Sequence, residues 1–366
     1  MTNQSLDQSQ VDDFGQTMIG ILNHAAMALM ASIGHQTGLF DALANLPAST
    51  SRQIAEAAGL NERYVREWLG AMVVGRVVTY DPREGTYRLP PEHAVWLTRA
   101  AKTNNLAREA QTVAMLAEVE QGIVQSFRTG GGVPYSAYPR FQQLMAEGSR
   151  VGFQDTLIDV TLPLVPGLIE RLQAGMDVAD FGCGQGDAVN LMAQAFPQSR
   201  FVGYDFSQEG IAAARAHAGR MRLANATFEV QDVARVPASN QYDLITAFDA
   251  IHDQAQPAAV LNKIAEALRP EGVFLMVDIG ASSRLEENLS HPFGPWLYTI
   301  SCMHCMTVSL ALAGEGLGTV WGEQKARQML AEAGFAHVVV KRLEADVFNA
   351  YYVAAKNSPG QAASLS

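Results

Sequence analysis

Cysteine is scarce: there are three in 366 residues. That is too few for a disulfide framework and agrees with a reducing compartment, by expectation the cytoplasm. Charge is scarce as well. Charged residues make up 17% of the chain against 48% hydrophobic ones, which excludes a largely disordered polymer. Positive charge is the scarcer sign, with 26 Lys+Arg against 37 Asp+Glu and a formal net charge of −11. Such a chain repels phosphate backbones overall, so nucleic acid is not the expected partner. Long apolar runs are missing too. The most apolar early stretch, 18–33, is interrupted by Asn23 and His24 and is shorter than the ~20 apolar residues of a membrane span. The opening MTNQSLDQSQVDDFGQ lacks the basic start of an export signal. No membrane role is therefore expected, and the length suggests two domains of roughly 150 residues each.

Residues 1–16 read as a polar, mobile tail, and 17–100 as a small helical domain. Met18–Ser32 is apolar and helical. STSRQIAEAA (49–58) and NERYVREWLGAMVV (61–74) are two helices around the turn at Gly59, with Ser or Thr and then Asn61 as caps. Val77–Tyr80 and Thr86–Leu89 alternate like strands around Asp-Pro-Arg-Glu-Gly. Helix, turn, helix and hairpin is the winged-helix order. A DNA-reading helix needs free Lys or Arg, yet residues 1–100 hold seven Arg, no Lys and ten acidic residues. A structural or dimerising role is the better expectation. Residues 101–170 form a helical linker, interrupted by GGGVPYSAYP (130–139), a loop with aromatic tips that suits a pocket wall.

From 171 to 357 strands and helices alternate. Apolar strands at 176–181, 200–205, 226–232, 242–248, 273–279, 336–343 and 349–355 are spaced by helical segments. The last two are too close for a crossover helix and must pair antiparallel. This predicts an α/β, Rossmann-like, doubly wound seven-stranded sheet whose last strand is antiparallel. Residues 284–320 form a helical insertion over the active site, and 358–366 are a tail.

The strongest motif is Asp180-Phe181-Gly182-Cys183-Gly184-Gln185-Gly186-Asp187, a glycine-rich turn after the first strand of this sheet. Asp205 ends the next strand, where a carboxylate can accept from a ribose diol. Asp232 ends the third. Asp187 at the helix entry disfavours an anion, so a cationic or neutral ligand fits better than a phosphate.

Together DFGCGQG, FVGYDFS, FEVQD, YDLITAFDAIHD and LRPEGVFLMVDI resemble the class I S-adenosylmethionine-dependent methyltransferases. The resemblance implies that Gly182, Cys183, Gly184 and Gly186 wrap the methionine moiety of S-adenosylmethionine. It implies that Asp180 lies near its amino group, Asp205 at the ribose and Phe206 beside the adenine. Asp232 and Val233 would meet the adenine edge, and Phe248 would lie near the methyl. The winged-helix order, GGGVPYSAYPRF, HCMTVSLA and GLGTVWG resemble, more narrowly, the mycobacterial winged-helix methyltransferase-like proteins. These are similar in turn to the plant-type small-molecule O-methyltransferases, whose winged helix serves dimerisation. A homodimer acting on a small, mostly apolar acceptor is implied.

Methyl transfer to a hydroxyl needs alignment and a base. His252-Asp253 follows the fourth strand, where the plant-type family has a His-Asp base pair. Gln254 stands where that family has Trp. His252 either removes a proton or only caps a helix and shapes the pocket. His304, in Cys302-Met303-His304-Cys305, is a second acid/base or orienting candidate. Zinc would need about four ligands, and the only other cysteine is Cys183, so no metal is expected. Tyr135, Tyr138, Trp296, Tyr298 and Trp321 are candidates for the pocket wall. O-methylation leads. S-, N- or C-methylation without a base, and a cofactor-binding DNA regulator, are the alternatives.

Overall fold

The computed structural model describes residues 6–237, 240–344 and 346–356; the expected tail 358–366 lies outside the described residues. The chain divides into two compact units, Met1–Ala117 and Glu118–Ser366.

In the first unit the expected polar tail is corrected. A helix runs from Gln8 to Gln36, so residues 8–16 are helical. The physical reason is local. Asp7 caps the helix, its carboxylate accepting from the Ser9 N–H at 3.0 Å, and no proline breaks the turns that follow. Polarity marks a solvated face here rather than the absence of structure. The helix leaves Phe14, Met18, Ile21, Leu22, Leu29 and Ile33 exposed. Contrary to expectation, it is long and apolar enough to cross a membrane by length and composition. The winged-helix order holds. Ser51–Ala58 starts in a capping box between Thr50 and Gln53, and Glu62–Val74 is capped by Asn61. β1 (Thr79–Asp81) and β2 (Thr86–Arg88) form the antiparallel wing. Phe40, Ile54, Val65, Trp68, Leu69 and Met72 make the core. Trp68 also donates its indole N–H to the Met30 carbonyl at 2.8 Å. The unit reaches past the expected boundary at 100, because Ala107 is buried in this core and Asn105 hydrogen-bonds the His35 ring.

The second unit carries the sheet. Its strands are β3 (Asp177–Phe181), β4 (Arg200–Asp205), β5 (Ala226–Val230), β6 (Tyr242–Phe248), β7 (Leu268–Ile279), β8 (His337–Leu343) and β9 (Asp346–Ala355). Their order is β5-β4-β3-β6-β7-β9-β8. β9 runs antiparallel to both neighbours, and β3 to β7 are parallel. The central strands are apolar on both faces because helices cover both. Phe181, Ile245 and Phe274 belong to one core, Val178, Leu244 and Leu275 to the other. β7 starts earlier than the sequence suggests, since Leu268 already pairs with Tyr242. The ladder shifts register between Tyr242 and Leu244, and this irregularity accommodates Pro270.

The insertion is helical up to Ala311: a 3-10 turn at Leu285–Asn288, a helix at Gly294–Ile300, a wide π-turn at Ser301–Cys305 and a helix at Met306–Ala311. Both cysteines of Cys302-Met303-His304-Cys305 lie in the π-turn. Cys305 is buried and Cys302 only partly so.

Candidate active site

A cleft opens where β3, β4 and β6 end, at the switch in strand order beside β3. Open parallel sheets bind ligands there. It measures about 940 Å³ with its open mouth included.

The glycine turn builds the floor. Gly184 has φ +53° and open space where a Cβ would stand, so a ligand can lie against its backbone. Gly186 (φ +72°) faces the protein instead, and a Cβ there would sit 2.5 Å from Phe228. Asp205 ties this turn to β4. Its carboxylate accepts from the Gly184 N–H at 2.9 Å and the Ser207 N–H at 2.8 Å, with lone pairs left for a diol. Phe206 beside it is 55% exposed, an aromatic face at the lip.

The cleft's charge is of one sign. Asp180, Asp187, Asp205, Asp249 and Asp253 line it, with no Lys or Arg among the lining residues. Burial pushes Asp180 up to about 7, although its carboxylate accepts from the Thr246 hydroxyl at 2.6 Å. Burial also raises Asp249 to about 7 and Asp253 to about 6. Positive charge on a ligand relieves this crowding, whereas a phosphate would aggravate it. Asp187 is a partial exception, because Arg150 and His217 approach it at 3.5 Å. The acidic helix entry is therefore partly neutralised from within the protein. A ligand with an ammonium, a sulfonium and a ribose diol, and no phosphate, fits this donor and acceptor set.

The opposite wall is apolar: Tyr135, Phe141, Met145, Phe153 and Phe248. Phe141 and Phe153 were not singled out from sequence. Aromatics at 141 and 153 on a helix starting beside the Gly/Tyr loop were the available signal.

His252 is placed differently from expectation. It is 4% exposed and lies behind the cleft lining. Its Nδ1 is 2.8 Å from Oδ1 of Asp278, at the end of β7, rather than paired with Asp253. The reason is the turn after β6. It directs Asp253 into the cleft and His252 back toward β7. Trp321 donates its indole N–H to the same Asp278 oxygen at 3.1 Å, as does the Ile279 N–H at 2.8 Å. Trp321 thus supports the pair from the core instead of lining the pocket. Burial pulls the His252 imidazole down, but Asp278 and the Cys305 sulfur outweigh it and hold its pKa well above the ordinary value.

His304 is 1% exposed, and burial pushes it down to about 3. At neutral pH it is an uncharged ring outside the cleft lining, which corrects the acid/base candidate. Tyr138 is buried, its hydroxyl donating to the Met303 carbonyl. Trp296 is half-buried and Tyr298 partly exposed on the insertion, with Tyr298 near Asn288. Asp232 caps the short turn Val233–Arg235, and Val233 is buried. Neither lines the cleft. Of the expected cofactor residues, Asp180, Gly182, Cys183, Gly184, Asp205, Phe206 and Phe248 are brought together there. Among the described residues no group of three metal-ligating side chains converges.

A seven-stranded sheet of this order, with a glycine turn and a carboxylate at its switch point, has the class I methyltransferase architecture. Comparison with known proteins agrees. Residues 172–334 match the family model of a methyltransferase domain, and residues 25–99 that of the Rv2258c-like winged HTH domain. The chain thus carries a winged-HTH match followed by a methyltransferase-domain match. It is 36% identical to trans-aconitate 2-methyltransferase of Variovorax paradoxus over 97 residues, covering 26% of this chain and 36% of that protein. It is 24% identical to malonyl-[acyl-carrier protein] O-methyltransferase of Bacillus cereus over 164 residues, covering 44% and 54%. The chain therefore spans about half or less of these relatives. Among solved structures, an O-methyltransferase family protein from Burkholderia thailandensis superposes with TM-score 0.69 at 14% identity, over 94% of this chain and 98% of that one. Human N-acetylserotonin methyltransferase, in complex with SAM, superposes at 0.67 with 16% identity, over 98% and 100%. At these identities the likeness shows the fold.

Proposed function

We propose that the protein transfers the methyl group of S-adenosylmethionine to a hydroxyl of a small, mostly apolar molecule. The observation that carries this is the cleft itself: acidic along the glycine turn, aromatic on the facing wall. When bound, the cofactor supplies a methyl group already activated by its sulfonium. Asp205 accepts the ribose hydroxyls, and Asp180 receives the ammonium. Phe141, Phe153 and Phe248 exclude water and hold the acceptor against the donor. His252 is the base in this reading. Asp278 holds its Nδ1 and the Cys305 sulfur also bonds the imidazole, so in this reading Nε2 takes the acceptor's proton once Cys305 gives way, and the carboxylate stabilises the imidazolium that results.

The burial of His252 favours a second reading, in which it only orients the turn and the acceptor atom is sulfur, nitrogen or carbon. Calorimetric titration with S-adenosylmethionine against NAD tests the cofactor. Binding of the former only, weakened in Asp205→Ala, is expected; binding of neither would refute the proposal. Methyl transfer from labelled cofactor to a panel of phenols, thiols and amines then separates the two readings.

We further propose that the protein is a homodimer joined through the helix Gln8–Gln36. Its exposed residues Phe14, Met18 and Ile21, and after an eight-residue step Leu29 and Ile33, lie along one stripe at helical spacing. Light scattering at the mass of two chains supports this. A monomer that pellets with anionic vesicles would assign the helix to a membrane surface instead.

A further inference from the structure

We propose that residues 130–141 form a releasable strap over the cofactor cleft, latched onto the π-turn around His304, and that opening of the strap gates cofactor exchange. This rests on the cofactor reading above and goes beyond it.

The strap meets the insertion at Thr307, Met303 and His304. The Val133 N–H donates to the Thr307 hydroxyl at 2.9 Å. Gly132 lies so close to the Thr307 carbonyl that any Cβ would overlap it. The Tyr138 hydroxyl donates to the Met303 carbonyl. Phe141 stacks on His304 at 3.8 Å and 13°. Tyr135 and Tyr138 meet the same imidazole edge-on at 5.2 and 4.8 Å. His304 is thus enclosed by three aromatic rings of one segment, and its Nε2 has no partner. A buried polar atom left unpaired opposes the closed state, so the latch is held by stacking against a standing cost. Behind the strap, Gly130 and Gly131 both have positive φ and open space around them, which suits a hinge.

The rings that make the latch also close the cleft. Tyr135 and Phe141 line it, and Tyr135 reaches the edge of Phe206 at 5.8 Å. Tyr135 therefore spans from the lip beside Asp205 to His304. A ligand held against Gly184 and Asp205 is covered by this segment.

The latch is acid-sensitive in a defined direction. The groups facing His304 are Cys305 on its own turn (Sγ 3.6 Å from Nδ1), His252 behind it, and Tyr135 and Tyr138 on the strap. Both tyrosines are raised by burial and stay neutral. Closed, His304 is held at about 3 by burial and by His252; released, it returns toward 6.5. The closed state binds fewer protons. It is fully favoured above 6.5 and loses roughly tenfold in population ratio per pH unit below it.

The test uses the full chain with S-adenosylhomocysteine as probe, reading its dissociation rate and the hydrogen exchange of the 130–141 backbone. Phe141→Ala and Gly132→Ala should each speed dissociation by about tenfold or more and accelerate exchange at Val133. The wild type should release the probe faster at about pH 6 than at about pH 8. His304→Phe keeps an aromatic post and should remove the pH dependence of exchange at Val133, leaving in the dissociation rate only the part carried by Asp180, Asp249 and Asp253 of the cleft. Faster exchange with an unchanged dissociation rate would overturn the gate. Unchanged exchange in Phe141→Ala and Gly132→Ala would overturn the latch, whether or not the probe binds. A wild type that does not bind the probe would overturn the cofactor reading, and the gating with it.

Discussion

The imidazole of His252 is held by Asp278, its Nδ1 2.8 Å from the carboxylate Oδ1. Its sequence neighbour Asp253 faces the cleft instead. Two residues 26 positions apart thus form the pair that adjacent residues suggest. The pairing holds the imidazole's pKa well above its ordinary value, so a proton-accepting role strengthens as the pH rises.

If His252 is the base, methyl transfer to a phenol should rise with pH from neutral upward, as the imidazolium gives way to the free base. Asp278→Asn removes the main charge that raises His252, and should shift this profile to lower pH. The same substitution should lower the melting temperature, because breaking a buried pair costs about 3–5 kcal/mol. A pH profile that does not move in Asp278→Asn would exclude His252 as the base.

Asp205→Ala should weaken S-adenosylmethionine binding by about 10- to 100-fold, the loss of one or two charge-assisted hydrogen bonds. Because Asp205 also ties Gly184 to β4, part of that loss should appear as faster hydrogen exchange in the glycine turn. Unchanged calorimetric affinity would remove Asp205 from the site.

The two glycines of the turn should respond differently. Gly186→Ala places a Cβ against Phe228 at a positive φ and should destabilise the domain by about 1–3 kcal/mol. Gly184→Ala meets open space and should cost about 1 kcal/mol for its backbone strain, while impairing cofactor binding more severely. Thermal unfolding and titration of both variants check the contrast. Equal effects of the two on binding would contradict it.

The winged helix should retain duplex DNA at most weakly and without a steep dependence on salt. On the helix Glu62–Val74, Arg63 pairs with Glu67, and Arg66 with Glu62 at 3.5 Å. A retention that falls steeply between low and moderate salt would indicate several phosphate contacts and favour the regulator reading.

Much of the cofactor side was legible in the sequence because it is local. Gly184 and Asp205 each sit at the end of a strand, and strand ends in a parallel sheet face one edge. The start of the helix Gln8–Gln36 is not legible locally, because its first two turns are polar and polarity by itself does not separate a solvated helix from a tail. The first compact unit also runs on to Ala117, past the winged-helix match that ends at 99. Asn105 and Ala107 join the first core through contacts with residues far earlier in the chain, which no local pattern records.

The sequence by itself determined the alternation of strands and helices, the glycine turn, the acidic balance and the winged-helix order. All are periodicities or short motifs acting within one or two elements. Only the tertiary structure decided that Asp278 rather than Asp253 holds His252, that Trp321 supports this pair, and that His304 is an uncharged post for Tyr135, Tyr138 and Phe141. Each is a contact between segments distant along the chain, brought together by the sheet and its insertion. Burial then sets the charge state: it raises Asp253, lowers His304, and leaves His252 to be decided by its carboxylate partner.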